Sequence, residues 1–318
     1  MSRWLRTIVV SCISSAATAA SAAVAGAQSL RLADSLIQRG AIQQAESLYY
    51  AAARAHPHDP QARLALGRYL ESRGATRIAV TLVEEAVQFG LAPSAAGPIL
   101  APMYDELEQY PQLLSLPAGT LSPAERDRAR WLAAHPSRTL ASDSSVLMSY
   151  APRSSSPLGS VTLRVNGRPV VLAIRSSGNG ISVSEAVSTS VKLRRFPASA
   201  ARSAVAAADS IGLSRVTLTN FPVTVESPPA GVDGSVSLEF LARFTPTFDP
   251  AADRMLLRIG ATSLRSTNGT RLAIMKSAGE LEMARAGGWV PLRLPQVSSM
   301  LKERRWTLDL RHGQIVVE

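Results

Sequence analysis

Two periodicities divide the chain. From about Leu30 to Pro93, apolar and small residues recur at helical spacing, and the whole pattern returns thirty-four residues further on. Leu32, Ala33, Leu36, Ala45, Tyr49, Ala52 and Pro57 come back as Leu66, Gly67, Leu70, Ala79, Val83, Ala86 and Leu91. Gly40 and Gly74 fall where the two helices of each unit must turn. A third, looser unit carries Leu100, Ala101, Tyr104 and Leu113, and Pro93, Pro98, Pro102 and Pro111 are expected to break it up. Ser122 ahead of Pro123-Ala124-Glu125 predicts a capped helix that runs through Trp131 to about Ala134.

Past a Ser- and Pro-rich stretch at 137–157, expected as linker, the period drops to two. Val161–Val165 alternates, Asn166-Gly167 predicts a type I′ hairpin turn, and Val170–Ile174 returns as a strand. A polar loop, Arg175 to Gly180, leads to a short helix or turn at Ser182–Val187. Further strands are expected at 215–218 and 221–225, and closing strands at 244–248 and 255–259. The Ala-rich segment before Asp209 reads as helical. In the tail, Arg311-His312-Gly313 predicts the turn of a final hairpin.

Composition narrows the function. Over 318 residues, 46% hydrophobic and 18% charged content fits a globular chain with real cores. No run of eighteen apolar residues occurs, so the chain is not expected to span a membrane. The net charge of +10 rests on dispersed arginines, with Lys192, Lys276 and Lys302 the only lysines. Without a basic run interleaved with aromatics, nucleic acid is not an expected partner. One cysteine, Cys12, excludes a disulfide framework or a cysteine-ligated zinc. His56 and His58 suit a solvated turn better than a metal pair, because further convergent ligands are wanting; neither metal nor cofactor is expected.

Residues 1–27 read as a secretory signal. Arg3 and Arg6 precede an apolar stretch, and Ala25-Gly26-Ala27 is a small-x-small cleavage site, which predicts a periplasmic or secreted protein beginning at Gln28. Cleavage would take the charge to +8 and leave no cysteine.

The thirty-four-residue pattern at 28–136 resembles tetratricopeptide repeats, which implies paired helices with a concave face for a peptide or protein. Further on, Val165-Asn166-Gly167-Arg168-Pro169-Val170, Asn220-Phe221-Pro222-Val223, Asp233-Gly234 with Phe240-Leu241, and Asp253-Arg254-Met255-Leu256-Leu257 follow one another in order. This set resembles the retropepsin-like aspartic proteases, in the exported bacterial form that carries such repeats upstream. The resemblance spans about Leu158 to Ile259 and implies an α+β multidomain chain: helical hairpins, then a mostly-β acid-protease barrel at 158–260. Residues 261–318 would be a β extension or a truncated second lobe.

The resemblance fails where that family's chemistry lies. Its catalytic Asp-Thr-Gly corresponds to Arg175-Ser176-Ser177, and a later glycine corresponds to Ser237. Aspartic proteases need two carboxylates sharing a proton, one from each subunit in the one-domain members. Arginine cannot act as that base, and two arginines across such an axis would repel by about 4 kcal/mol at 4 Å and an effective dielectric near 20. A side chain at 237 is also expected to disturb the packing behind the loop. The function expected is therefore partner binding or assembly by an exported, degenerate protease, with Arg175 and Asn179 as candidate ligands for a carboxylate. Two alternatives stay open: an active endopeptidase that uses Asp209 or Asp233, and a helical scaffold whose β module is only structural. The family also implies homodimerisation through the barrel.

Overall fold

A computed structural model describes residues 26–153, 156–178, 180–196, 204–260, 269–277, 279–285 and 288–318. The greater part of the proposed signal segment, and Asn179, lie outside them.

The first half is a succession of helices: α1 (26–38), α2 (Ile42–Ala55), α3 (Pro60–Ser72), α4 (Thr76–Gln88), α5 (Pro93–Glu106), α6 (Tyr110–Ser115) and α7 (Pro123–Ala134). Helix α3 starts where the Asp59 carboxylate accepts the Gln61 amide at 2.9 Å and Pro60 supplies a preset first turn. Helix α7 has the predicted capping box between Ser122 and Glu125. The small residues Ala33, Ala45, Ala79 and Ala96 are fully buried or nearly so, which lets the helices approach closely around Leu66, Leu70, Val83 and Leu100. One expectation is corrected. Pro98 and Pro102 do not break the third unit but lie inside the continuous α5, on its exposed side, where each removes one helical hydrogen bond.

The second half holds β1 (Arg138–Ala141), β2 (Ser145–Ala151), β3 (Ser160–Val165), β4 (Arg168–Arg175), β5 (Ile181–Val183), α8 (Glu185–Ser190), β6 (Arg194–Arg195), β7 (Ala204–Leu213), β8 (Val216–Val225), β9 (Gly234–Ser237) and α9 (Leu238–Ala242). Then come β10 (Thr247–Asp249), β11 (Arg254–Arg258), β12 (Thr270–Ser277), β13 (Glu280–Arg285), β14 (Gly288–Pro291), α10 (Pro295–Glu303), β15 (Trp306–Asp309) and β16 (Gln314–Val317). Residues 137–157, expected as linker, carry β1 and β2. Val146, Met148 and Tyr150 alternate with exposed residues and sink into the core, a period-two pattern that the serines conceal. The Ala-rich segment before Asp209 is strand β7, not helix. It is buried at Ala206, Ala207 and Ala208 in succession, so its pattern shows no alternation.

Two sheet systems follow from the pairings. Strands β3, β4, β9, β5, β8 and β7 pair in that order, and β7 pairs back to β3, closing a six-stranded barrel. Its β3–β4 turn has Asn166 at φ 47° and Gly167 at φ 81°, as a type I′ turn requires. Beside it, β2, β11, β10, β15, β16 and β12 form an antiparallel run. This run contains one motif twice: α9–β10–β11 and α10–β15–β16. In each, a strand ends at an aspartate (Asp249, Asp309), a 3-10 turn follows, a left-handed residue (Asp253, Gly313) reverses the chain, and a strand returns. The copies meet at the β10–β15 pairing, where Phe248 stacks on Trp306 with ring centroids 4.0 Å apart. Both edges of β10 are thereby taken within the chain, by β11 and β15, so a homodimer would have to pair through another edge.

The helical half is joined to this run by specific contacts. The Trp289 indole donates to the Ile37 carbonyl at 2.6 Å, Arg243 pairs with Glu108 at 2.7 Å, and Arg73 donates to the Ile274 carbonyl. Lys276 on β12 meets Glu71 of α3, Glu106 of α5 and Glu239 of α9 at 3.4, 3.4 and 3.1 Å. Among the described residues no helix is long and apolar enough to cross a membrane.

Candidate functional site

Strand β4 enters the barrel on buried Leu172, Ala173 and Ile174 and delivers Arg175 at its end, beside Ser237 of the parallel strand β9. The Arg175 side chain does not stand in solvent. Its Nη1 donates to Glu226 Oε1 at 2.9 Å, and both side chains are about two-thirds covered. The guanidinium lies against Gly178, whose left-handed backbone leaves no side chain in the way. Arg175 Nε is buried with no hydrogen-bond partner. The acceptor proposed for it, a ligand carboxylate, thus has a counterpart already present in Glu226, just past the end of β8.

Ser176 and Ser177 are tied to the C-terminal strands. Ser176 Oγ donates to Glu280 Oε1 at 2.9 Å, and its carbonyl accepts the Leu281 amide at 2.8 Å. Ser177 bridges Glu280 as an antiparallel pair, and the Gly178 amide donates to the Gly279 carbonyl at 2.8 Å. Arg293 fixes the same Glu280 oxygen from the other side at 2.8 Å. The loop after β4 is therefore stitched, along its backbone and through Ser176, to the start of β13.

Ser237 does not disturb the loop as expected; it holds it. Fully buried, its hydroxyl caps α9 by accepting the Phe240 amide at 3.1 Å and also accepts the Gly180 amide at 3.0 Å. Its own amide donates to the Gly180 carbonyl. A serine fits because α9 begins at this point and its orphan amides need an acceptor.

The two acids considered as substitutes are not brought together. Asp233 Oδ2 accepts the Val171 amide at 2.9 Å, and its backbone pairs with Val171 and Ser184, so it clamps β4 to the segments before β9 and after β5. Asp209 is exposed on β7. Among the described residues, neither has a carboxylate partner with which to share a proton. His56 follows α2, and His58 stands edge-on to Phe89 with centroids 4.9 Å apart. Among the described residues no group of three His, Cys, Asp or Glu side chains is arranged to hold a metal.

Sequence reasoning missed Glu226 and Glu280, whose contacts with Arg175 and Ser176 lie 51 and 104 residues away, and Arg293, which pairs with Glu280. It also missed a groove of about 380 Å³ between α1 and α3. Asp34, Arg68, the Tyr49–Tyr69 stack (centroids 4.9 Å apart) and Met275 of β12 line it. The Tyr49 hydroxyl donates to Asp34 and the Tyr69 hydroxyl to Glu46, which fixes both rings.

No family model matches the chain, and no curated protein does. Among solved structures, it is similar to the crystal structure of a retropepsin-like aspartic protease from Rickettsia conorii, at 12% identity and a TM-score of 0.29, over 39% of this chain and 93% of that one.

Proposed function

We propose that the chain is an exported, non-catalytic relative of the retropepsin-like aspartic proteases that binds a protein or peptide. Tetratricopeptide-like repeats would supply the contact surface, and the degenerate barrel its support. The observation that carries this reading is the Arg175–Glu226 ion pair. A cation neutralised by a carboxylate stands where the motif resemblance calls for a proton-sharing acid, and a guanidinium cannot take that acid's role. The stitching of Ser176 and Ser177 to Glu280 and Leu281 agrees with it, since the chain's own β13 fills the edge of that loop. On this reading residues 261–318 act as a truncated second lobe, and the doubled helix–hairpin motif supports that. The groove between α1 and α3 offers aromatic faces and both signs of charge for an extended peptide.

The test is cleavage of an unfolded protein substrate from acid to neutral pH, by the unaltered chain and by Arg175→Asp, each with and without an aspartic-protease inhibitor. Neither protein is expected to cleave: the unaltered chain has a guanidinium at this position, and in the variant the neighbouring carboxylate is Glu226, past the end of β8, instead of the second aspartate that the family aligns on the same water. Inhibitor-sensitive cleavage by the unaltered chain overturns the proposal and returns attention to Asp209 and Asp233. Pull-down of partners with residues 28–136 and with the whole mature chain then separates a working barrel from a purely structural one.

A further inference from the structure

Strand β1 lies against β8, with Arg138 opposite Thr219, Thr139 opposite Leu218, Leu140 opposite Thr217 and Ala141 opposite Val216. Among the described residues no strand pairs with its other edge. Which backbone groups that edge offers follows from β7. Ser210, opposite Thr219, accepts the Asn166 amide at 2.9 Å and donates its own amide to Asn166 Oδ1 at 3.0 Å, so its backbone is turned away from β8. By the alternation of an antiparallel ladder, Thr219 and Thr217 then turn their groups to β1, where Arg138 and Leu140 meet them. The amides and carbonyls of Thr139 and Ala141 are left pointing outward.

These two residues flank Leu140 evenly, so the edge matches a second copy of itself laid antiparallel. Thr139 exchanges both hydrogen bonds with Ala141 of the second copy, Ala141 does so with its Thr139, and every outward group is used. Leu140 then faces Leu140 across the two-fold axis, in the pair whose side chains approach most closely, with Cα atoms about 4.5 Å apart. In the isolated chain this leucine keeps 56% of its surface in water; across the axis each covers the other. Arg138 does not block the approach, because the axis sets the two Arg138 positions four residues, or about 14 Å, apart, beyond a Debye length of about 8 Å. The edge is also held ready. Arg215 pairs with Asp143 at 3.1 Å beyond one end of β1, and Asn220 donates to the Pro136 carbonyl at 3.5 Å beyond the other. The sheet path ends elsewhere at β6, which is only Arg194 and Arg195, and at β14, which closes on Pro291 and is tied to α1 by Trp289.

We infer that the chain pairs with a second copy of itself through β1, carrying the barrel sheet across a two-fold axis at Leu140. This contact is independent of the reading given to Arg175. A strand of 4 residues makes a small interface, so the dimer is a weak one, with a dissociation constant of about 100 µM.

Sedimentation equilibrium of the full chain in reducing buffer, from about 10 µM to about 1 mM, is expected to show monomer exchanging with dimer. Leu140→Lys sets two ammonium groups opposite each other and is expected to weaken the dimer by about tenfold or more, with an unchanged circular dichroism spectrum. Ile78→Lys, at a residue of α4 that is 57% exposed, is expected to change nothing. A second measurement locates the contact. In a chain carrying Cys12→Ser, Leu140→Cys is expected to form an intermolecular disulfide on mild oxidation, since a Cα separation of about 4.5 Å suits one, and Ile78→Cys to do so far more slowly. A dimer that Leu140→Lys leaves intact, or disulfides that form equally fast at the two positions, overturns the inference. So does a chain that stays monomeric up to about 1 mM, which leaves the edge to an extended peptide of another protein.

Discussion

Glu239 is almost wholly buried, and its Oε1 has no hydrogen-bond partner. Burial raises its pKa from 4.5 to about 6, against the pull of Lys276. Read from the other end, the same contact goes differently: burial would lower Lys276, but Glu239, Glu106 and Glu71 together outweigh it and keep the ammonium charged. The asymmetry follows from the count of neighbours, since the lysine meets three acids while Glu239 meets one lysine and two like charges. A carboxyl raised in the folded state gives stability that is present below pH 4.5 and is lost as pH climbs through about 6. Glu239→Gln removes that dependence. Relative to the variant, the unaltered chain should lose about 2 kcal/mol between these limits, and urea midpoints at a series of pH values would show it. No change in the difference across that window would mean that Glu239 does not titrate there. Gly234 poses a steric question instead. A Cβ there would run into the Ser182 carbonyl and come within 2.8 Å of the Val183 Cα, so neither neighbour can give way cheaply. Gly234→Ala should cost about 2 kcal/mol or more by thermal unfolding, and a loss within about 0.5 kcal/mol would show that β5 and β9 can separate.

Elements were legible where one local rule decides them. The Ser122 capping box, the Asn166-Gly167 turn and the reversal at Gly313 rest on side chains or φ angles that few other residues supply. They failed where neighbours in space overrule composition. Strand β7 is buried on both faces at Ala206, Ala207 and Ala208, and there it offers no alternation by which alanines could be told from helix. Strand β2 hides its alternation among serines. Helix α5 continues through two prolines because Ala96, Gly97, Leu100, Met103 and Tyr104 are buried against the array and offset the lost hydrogen bonds. That offset can be measured. Pro98 is exposed, and an alanine there would restore an amide to the Ser94 carbonyl. Allowing for the freer unfolded chain, Pro98→Ala should stabilise by about 1–2 kcal/mol and raise the thermal midpoint. A fall would mean that α5 needs its proline bend to pack on α4.

At the scale of the molecule, the candidate site was legible in position but not in content. The motifs located Arg175, while Glu226, Glu280 and Arg293 became its surroundings only through strand pairings that no local pattern announces. The same holds for the junction between the halves. Lys276 lies in an unremarkable stretch of sequence, yet it is the cation on which α3, α5, α9 and β12 converge. Lys276→Met keeps the volume and removes the charge, leaving Glu71, Glu106 and Glu239 facing one another in a mostly covered site. The loss expected at neutral pH is about 3 kcal/mol. It should shrink toward pH 5, because Glu239 can then take up a proton and relieve the repulsion. If the cluster holds the halves together, the variant should also release the helical half under limited proteolysis while the barrel resists. Lys276→Arg should behave nearly as the unaltered chain does. An equal loss at both pH values would instead assign the lysine a packing role, with the apolar seam around Trp289 and Met275 joining the two halves.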